Sequence, residues 1–292
     1  ADAVEFCTAP GEENTLIAGT YQLAEGHEGR DTRHGRLYTL TVDEQDEDAG
    51  GAEGQTPSVR SLHALDAPGV FDIKWSGYSA SMRSVLGQAG ADGCLHVYAL
   101  GEEEGGGRGL RLESSFRCSN TPGSLALSLD WNDRCSAERR RRCAAVSMSE
   151  GKVCLVQMRS DGTLCSAGEV EGHELECWIA SWDCHAEDVM YSGADDGLLK
   201  CWDLRGGGST LLHADRRSFQ AGVPQAWQVT CIQSHAALQH CLAVGSYDET
   251  VKIYDTRNMR SPVAEVRREG GREGGREGGR EGEGRGRGGE MR

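Results

Sequence analysis

Three features are missing from this sequence, and each absence argues against a class of protein. No run of 18 apolar residues occurs, so no helix is predicted to span a membrane. The 12 cysteines form no Cys-x-x-Cys pair, so the sequence predicts no metal site, no other cofactor and a reducing, cytoplasmic compartment. Basic residues are scarce, with 31 Lys and Arg against 46 Asp and Glu and a formal net charge of −15. Direct binding of nucleic acid is not favoured, because neutralising phosphates requires Lys and Arg.

What the sequence does contain is a repeat. One mostly aromatic position recurs five times, and its members are Phe6, Trp75, Trp131, Trp182 and Ser234. The residue before each member is polar, and the one before that is apolar. A second pattern places an acid six residues before an aromatic, with alternation between them, at Asp92 to Tyr98, Asp196 to Trp202 and Asp248 to Tyr254. Alternation is typical of strands, so the repeats predict an all-β fold.

The fourth repeat is the most complete. It opens with Gly172-His173, closes with Trp202-Asp203, and has 28 residues between His173 and Trp202. A Gly-His…Trp-Asp unit of about this length is typical of one blade of a WD-repeat β-propeller. The sequence therefore predicts a partial WD-repeat propeller over residues 1–265, with five repeats visible of an expected seven.

The repeat boundaries follow from the same patterns. The second repeat is placed at 61–100 and the third at 112–158, and the fifth is expected to end near Met259. Residues 266–292 carry Arg-Glu-Gly-Gly repeats with a single apolar side chain after Val266, so they are predicted to be a disordered tail. Five blades without closing partners would leave two open sheet edges.

Four residues of the fourth repeat suggest two different roles. His173, Ser192 and Asp196 are the residue types of a hydrolase triad. Together with Trp202 they also resemble the hydrogen-bonded brace that holds loops onto WD-repeat blades and gives buried polar groups their partners. The brace is the favoured interpretation, because a serine on a second strand, between two blades, is not exposed to substrate.

Better exposed candidates follow the Gly-His pair. Glu174, Glu176 and Trp178 are expected where the chain enters an innermost strand, near the mouth of the central channel. Two carboxylates and an indole can supply a general base and a surface for a cation. An acidic rim for protein docking is an equally good interpretation of these three residues.

Several longer strings carry a resemblance to a known family. The chain resembles the WD-repeat diphthine methylesterases, also called diphthine methyltransferases, over about residues 1–265. The strings are Ala18-Gly19-Thr20-Tyr21-Gln22-Leu23, His173-Glu174-Leu175-Glu176-Cys177-Trp178, Gly245-Ser246-Tyr247-Asp248-Glu249 and Asp255-Thr256-Arg257-Asn258-Met259. The segment 224–228 and the Arg-Glu-Gly-Gly repeats depart from the family pattern.

This resemblance implies an activity and a partner. Members hydrolyse the methyl ester of the diphthine intermediate on elongation factor 2, so the resemblance implies a substrate with a methyl ester and a quaternary ammonium. Trp178, Glu174 and Glu176 would suit that cation. The resemblance assigns no catalytic residue. The competing interpretation is a non-catalytic WD-repeat scaffold for protein–protein interaction.

Overall fold

The described part of the chain folds into five antiparallel sheets, each of which forms one blade. The structure is a computed structural model that describes residues 2–25, 32–43, 58–77, 84–103, 107–133, 142–205, 210–215 and 228–267. Residues 268–292, which make up nearly all of the predicted tail, lie outside the described residues, as does most of the segment 224–228. Within the described part of the chain, no helix is long and apolar enough to cross a membrane.

Blades 2 to 5 are up-and-down sheets of four consecutive strands, whereas blade 1 has five strands, the fourth of which pairs with three others. Blade 1 comprises β1 (Ala3–Phe6), β2 (Thr15–Gly19), β3 (Gln22–Ala24), β4 (Thr32–Asp43) and β5 (Ser58–Pro68). Blade 2 comprises β6 (Val70–Trp75), β7 (Leu86–Gly90), β8 (Cys94–Glu102) and β9 (Arg108–Arg117). Blade 3 comprises β10 (Ala126–Trp131), β11 (Cys143–Met148), β12 (Lys152–Met158) and β13 (Leu164–Glu171). Blade 4 comprises β14 (Cys177–Trp182), β15 (Val189–Ala194), β16 (Leu199–Asp203) and β17 (Thr210–Asp215). Blade 5 comprises β18 (Val229–Ser234), β19 (Cys241–Ser246), β20 (Thr250–Asp255) and β21 (Ala264–Arg267).

The sequence repeats are offset from the blades by one strand, which corrects two predicted boundaries. Strand β5 begins at Ser58 and pairs with β4, so it closes blade 1 although most of it had been placed in the second repeat. Strand β9 pairs with β8, so Leu112 belongs to blade 2 and does not open the third unit. Gly69 alone joins β5 to β6, and so short a connection leaves no boundary signal in the sequence.

The fifth blade also extends further than predicted. Strand β21 pairs with β20 from Ala264 to Arg267, beyond both Met259 and the predicted boundary at residue 265. It reads Ala-Glu-Val-Arg, so apolar and charged residues alternate along it before the Arg-Glu-Gly-Gly pattern starts. Backbone pairing does not require a long apolar run. The low-complexity composition after Arg268 hid this last strand.

The polar residues that precede the aromatic position tie successive blades together. The Glu5 carboxylate accepts a hydrogen bond from the backbone N–H of Trp75 at 2.6 Å. The Asp130 carboxylate does the same for the N–H of Trp182 at 2.8 Å, which joins blade 3 to blade 4. These carboxylates satisfy inward-facing backbone groups that would otherwise lack partners, which explains why an apolar-looking strand keeps a polar residue.

The aromatic position itself packs against the preceding blade. Trp131 is buried, and its indole N–H donates to the backbone oxygen of Lys74 in blade 2 at 2.9 Å. Four apolar clusters fill the four contacts between consecutive blades, from the contact of blades 1 and 2 to that of blades 4 and 5. Within the described residues, no cluster of this kind joins blade 5 to blade 1.

The two end blades therefore leave one face uncovered. Phe6, against which none of the described blades packs as blade 2 packs on Trp131, is 52% exposed, whereas Trp131 at the same position is 1% exposed. On the other end, Val251 is 46% exposed, whereas the equivalent Leu199 of blade 4 is fully buried. Cys231, Val251 and Val266 lie in register across the uncovered face of blade 5. The described blades form an arc with two apolar ends.

Candidate functional site

The four predicted brace residues come together between blades 3 and 4. The indole N–H of Trp202 donates to Ser192 Oγ at 2.8 Å, and Ser192 Oγ lies 2.8 Å from His173 Nε2. His173 Nδ1 lies 2.9 Å from the nearer carboxylate oxygen of Asp196. The carboxylate also accepts the backbone N–H of Leu198 at 2.9 Å, which fixes the turn after β15. The loop before β14 is thereby bound to the second and third strands of its blade.

The direction of these hydrogen bonds follows from donor supply. His173 Nδ1–H donates to the Asp196 carboxylate, so Nε2 is free to accept the hydroxyl proton of Ser192. Burial alone would raise the pKa of Asp196, but the hydrogen bonds that its carboxylate accepts from His173 and from the Leu198 backbone outweigh burial and lower that pKa below its usual value. Ser192 and the His173 side chain are both 0% exposed. A substrate cannot reach this serine while the blades stay packed, and this inaccessibility favours a structural role.

Blade 2 carries the same brace in a divided form. Tyr98 and Gln88 take the places of Trp202 and Ser192, and the Tyr98 hydroxyl donates to the Gln88 side chain at 2.7 Å. The Gln88 amide then donates to the backbone oxygen of Pro68 instead of reaching a histidine. The carboxylate of Asp92, in the turn after β7, is instead paired with the imidazole of His96 on β8, whose Nε2 lies 3.1 Å from the nearer carboxylate oxygen. The sequence patterns did not single out His96.

Trp178 owes its position to a β-bulge. In the pairing of β14 with β15, Cys177 faces Ala194 and Ile179 faces Gly193, which leaves Trp178 as an extra residue. Bulges turn a side chain away from the regular pleat and are frequent beside functional sites. The half-buried indole points toward the turn after β15, where its N–H donates to the Asp195 carboxylate. Glu174 and Glu176 are exposed and precede the strand.

These residues define what is called here the rim patch: Glu174, Leu175, Glu176, Trp178 and Asp195. The Asp195 backbone N–H donates to the Glu176 carbonyl at 3.0 Å, so the two segments are held together. Partial burial raises the pKa of Asp195, and the nearby charges of Glu176 and Asp196 raise it further, against the lowering effect of the Trp178 hydrogen bond. A carboxylate with a raised pKa is better suited to accept a proton near neutral pH than an ordinary one.

The rim patch adds Leu175 and Asp195 to the three predicted residues. Sequence reasoning named Glu174, Glu176 and Trp178 but missed Asp195, which lies 17 positions after Trp178 and bonds it directly. The sequence signal for Asp195 is the adjacent pair Asp195-Asp196. The brace accounts for Asp196 only, so a second role for Asp195 could have been expected. Among the three predicted residues, Trp178 bonds Asp195 through its side chain, and Glu176 bonds Asp195 through its backbone carbonyl.

Comparison with solved structures defines the class of protein. The chain is similar to the Chaetomium thermophilum protein Sqt1, with a TM-score of 0.57 and 13% identity over 91% of this chain and 71% of that one. A Sqt1 structure bound to the N-terminus of the ribosomal protein L10 matches at a TM-score of 0.54 and 13% identity, over 91% and 74% of the two chains. At such identity the likeness concerns the fold alone. Five blades, one of five strands and four of four strands, together with the recurring sequence motif make the chain a WD-repeat β-propeller.

Comparison of sequences identifies the family within that class. The chain is 32% identical to the Mus musculus diphthine methyltransferase over 93% of its own length and 55% of the relative's. It is 30% identical to the Homo sapiens diphthine methyltransferase, over 93% and 60% of the two chains. No known protein-family profile matches the chain. The chain belongs to the diphthine methyltransferase family, and it spans a little over half the length of these two relatives.

Proposed function

We propose that this chain acts in diphthamide biosynthesis, by hydrolysing the methyl ester of methylated diphthine on elongation factor 2 to a carboxylate and methanol. The observation that carries the proposal is the 32% identity to a diphthine methyltransferase across 93% of this chain. That name concerns the methyl group of diphthine, and the family resemblance described above implies its removal. No membrane or nucleic acid takes part in the proposed reaction.

The rim patch supports this chemistry better than the buried brace. Ester hydrolysis needs a base that takes a proton from water as its oxygen attacks the ester carbon, after which methanol leaves. Asp195 has the raised pKa that suits this role. The indole face of Trp178, with the carboxylates of Glu174 and Glu176 beside it, suits the quaternary ammonium of the substrate. The brace residues His173, Ser192, Asp196 and Trp202 would hold this patch in place.

The direct test is a mass measurement on the substrate. Purified chain is incubated with elongation factor 2 that carries the methylated intermediate, and the modified peptide is followed by mass spectrometry. Loss of one methyl group is expected. A folded sample that leaves the mass unchanged rejects the hydrolysis, and gain of a methyl group would show transfer instead.

Two variants connect the activity to the rim patch. Asp195→Asn should lower kcat/KM by about 100-fold if Asp195 is the base. Trp178→Ala should raise KM more than it lowers kcat, because the indole is assigned to binding. Glu265→Gln, on the exposed edge strand of blade 5, is the matched control and should leave both constants unchanged. Equal loss in all three variants would remove the rim patch from the proposal.

A second candidate function is protein docking without chemistry. The related fold of Sqt1 has been captured bound to the N-terminus of a ribosomal protein, which favours this candidate for an acidic rim. Under it, the chain would bind elongation factor 2 equally well with and without the methyl ester and would release no methanol. Binding measured against both forms of the factor separates the two functions, because an esterase should prefer the esterified form.

A further inference from the structure

We propose that Asp92, Cys94 and His96 form a binding site for a zinc-type divalent metal ion at the turn between β7 and β8. Their ligand atoms, a carboxylate oxygen, a thiol sulfur and an imidazole nitrogen, all lie within 4.8 Å of one another. No metal site is expected from the sequence, because its cysteines form no Cys-x-x-Cys pair. An Asp-x-Cys-x-His spacing contains no such pair. Cys94 and His96 nevertheless share one face of β8, because alternate residues of a strand point to the same side.

The distances suit a common ion. Two nitrogen or oxygen ligands on tetrahedral zinc, at bonds of about 2.0–2.1 Å, lie about 3.4 Å apart. His96 Nε2 lies 3.2 and 3.1 Å from the two Asp92 carboxylate oxygens, so these atoms are already close to that separation. The Cys94 thiol needs a shift of about 1 Å, within the reach of a side-chain rotation. Nitrogen, thiolate and carboxylate donors are the set that zinc prefers.

The surroundings orient the imidazole for this role. His96 Nδ1 lies 2.8 Å from Ser115 Oγ on β9, which leaves Nε2 directed at Asp92. Metal-binding histidines usually have such a partner on the other ring nitrogen. Gly90 leaves the necessary space, because a Cβ there would lie 2.6 Å from the Asp92 carboxylate and 3.2 Å from the His96 ring. Asp92 is the most exposed of the three donors and gives solvent a route to the open fourth position.

The blade architecture requires the turn acid but neither a cysteine nor a histidine at the positions of Cys94 and His96. In blade 4 the residues at the positions of Cys94 and His96 are Leu198 and Lys200, and that blade still forms its brace. In blade 5 the same position as His96 is Lys252, whose ammonium lies 3.8 Å from the turn carboxylate of Asp248. A simple positive partner for the turn acid is therefore available without a thiol or an imidazole. Only the hairpin of blade 2, among these three, combines both soft donors with the acid.

The test uses cobalt as a visible substitute for zinc, which has no absorption of its own. The full chain is stripped with a chelator, reduced and titrated with Co²⁺ alone. One ion per chain is expected, with a thiolate-to-cobalt charge-transfer band that Zn²⁺ abolishes by displacement. Cys94→Ser should lose the band, and Asp92→Asn and His96→Gln should each weaken binding by at least about tenfold.

Two further variants make the result decisive. Ser115→Ala should weaken binding by about tenfold while keeping the band, because Ser115 positions the ring without ligating the ion. Cys231→Ser, which removes an exposed thiol on β18 of blade 5, should bind as the parent does. Circular dichroism confirms that each variant is folded. The proposal is overturned if the folded parent shows no saturable binding, or if the band survives in Cys94→Ser, which would mark an adventitious ion.

Discussion

At the scale of single residues, exposure separates side chains of the same chemical type. Ser192 and His173 form short contacts that resemble those of a hydrolase, yet neither side chain is exposed to solvent. Asp195 and Asp196 are adjacent, but their pKa values move in opposite directions, up by burial and neighbouring acids at Asp195 and down by His173 at Asp196. Adjacent acids can therefore serve different purposes, one in the rim patch and one in the brace.

The brace can be tested through Asp196. We expect Asp196→Ala to lower the free energy of unfolding by about 1–3 kcal/mol, because buried His173 loses its acceptor. Urea denaturation measures the change. Asp161→Ala is the matched control, because Asp161 caps an exposed turn after β12 through Thr163 and should matter much less. If Asp196→Ala unfolded with the parent and lost only activity, the triad interpretation would replace the brace.

At the scale of strands, one glycine position reports how closely the blades pack. Gly193 on β15 faces the first strand of blade 5, and a Cβ there would lie 2.6 Å from the Val229 Cβ. Gly245 on β19 holds the same place in blade 5, since each glycine pairs with the first paired residue after the bulge of its innermost strand. A Cβ at Gly245 would meet only its own blade, at 3.3 Å from Cys231. The difference comes from the presence or absence of a neighbouring blade.

This pair of glycines gives a matched comparison. Gly193→Ala should lower the free energy of unfolding by about 1–3 kcal/mol, because the added methyl group forces blades 4 and 5 apart. Gly245→Ala should change it far less, because none of the described residues outside blade 5 lies within 4 Å of the added methyl group. Thermal and urea denaturation of both variants provide the measurement. An equal loss of stability in the two would mean that another surface covers blade 5 in solution.

At the scale of the whole molecule, the uncovered ends dominate the expected behaviour. Four apolar clusters join the five blades in series, and the outward faces carry exposed apolar side chains such as Phe6 and Val251. A blade buries its faces only against its neighbours, so the terminal faces remain in contact with water. Exposed apolar sheet surfaces favour association.

Self-association should therefore be measurable and local to the ends. The chain is expected to form larger species as its concentration rises in sedimentation velocity. The double variant Phe6→Lys, Val251→Lys should stay smaller at the same concentration without losing thermal stability, because neither side chain is buried. Leu112→Lys changes a comparably exposed leucine on the edge strand of blade 2 and should not alter association. Unchanged association in the double variant would show that other surfaces are responsible.

The sequence by itself determined the class of fold, and it placed His173, Ser192, Asp196 and Trp202 in one repeat. The reason is that both depend on short-range order: strand alternation, the Asp-to-aromatic spacing from Asp196 to Trp202, and the Gly-His pair are visible within one repeat. The strand β21 escaped because the composition around it resembles the low-complexity segment that follows. Boundaries also shifted, because a single Gly69 separates two blades and leaves no turn signal.

Only the tertiary structure decided which side chains share a site and which face water. Asp195 joins Trp178 across 17 residues through a bulge, and the sequence does not show how far a bulge turns a side chain. Leu199 and Val251 occupy the same place in their repeats, yet one is buried and the other is 46% exposed. The residue type is alike in both, and the difference lies in whether another blade packs against it. Burial is a property of neighbours, and neighbours distant in sequence are set by the folded arrangement.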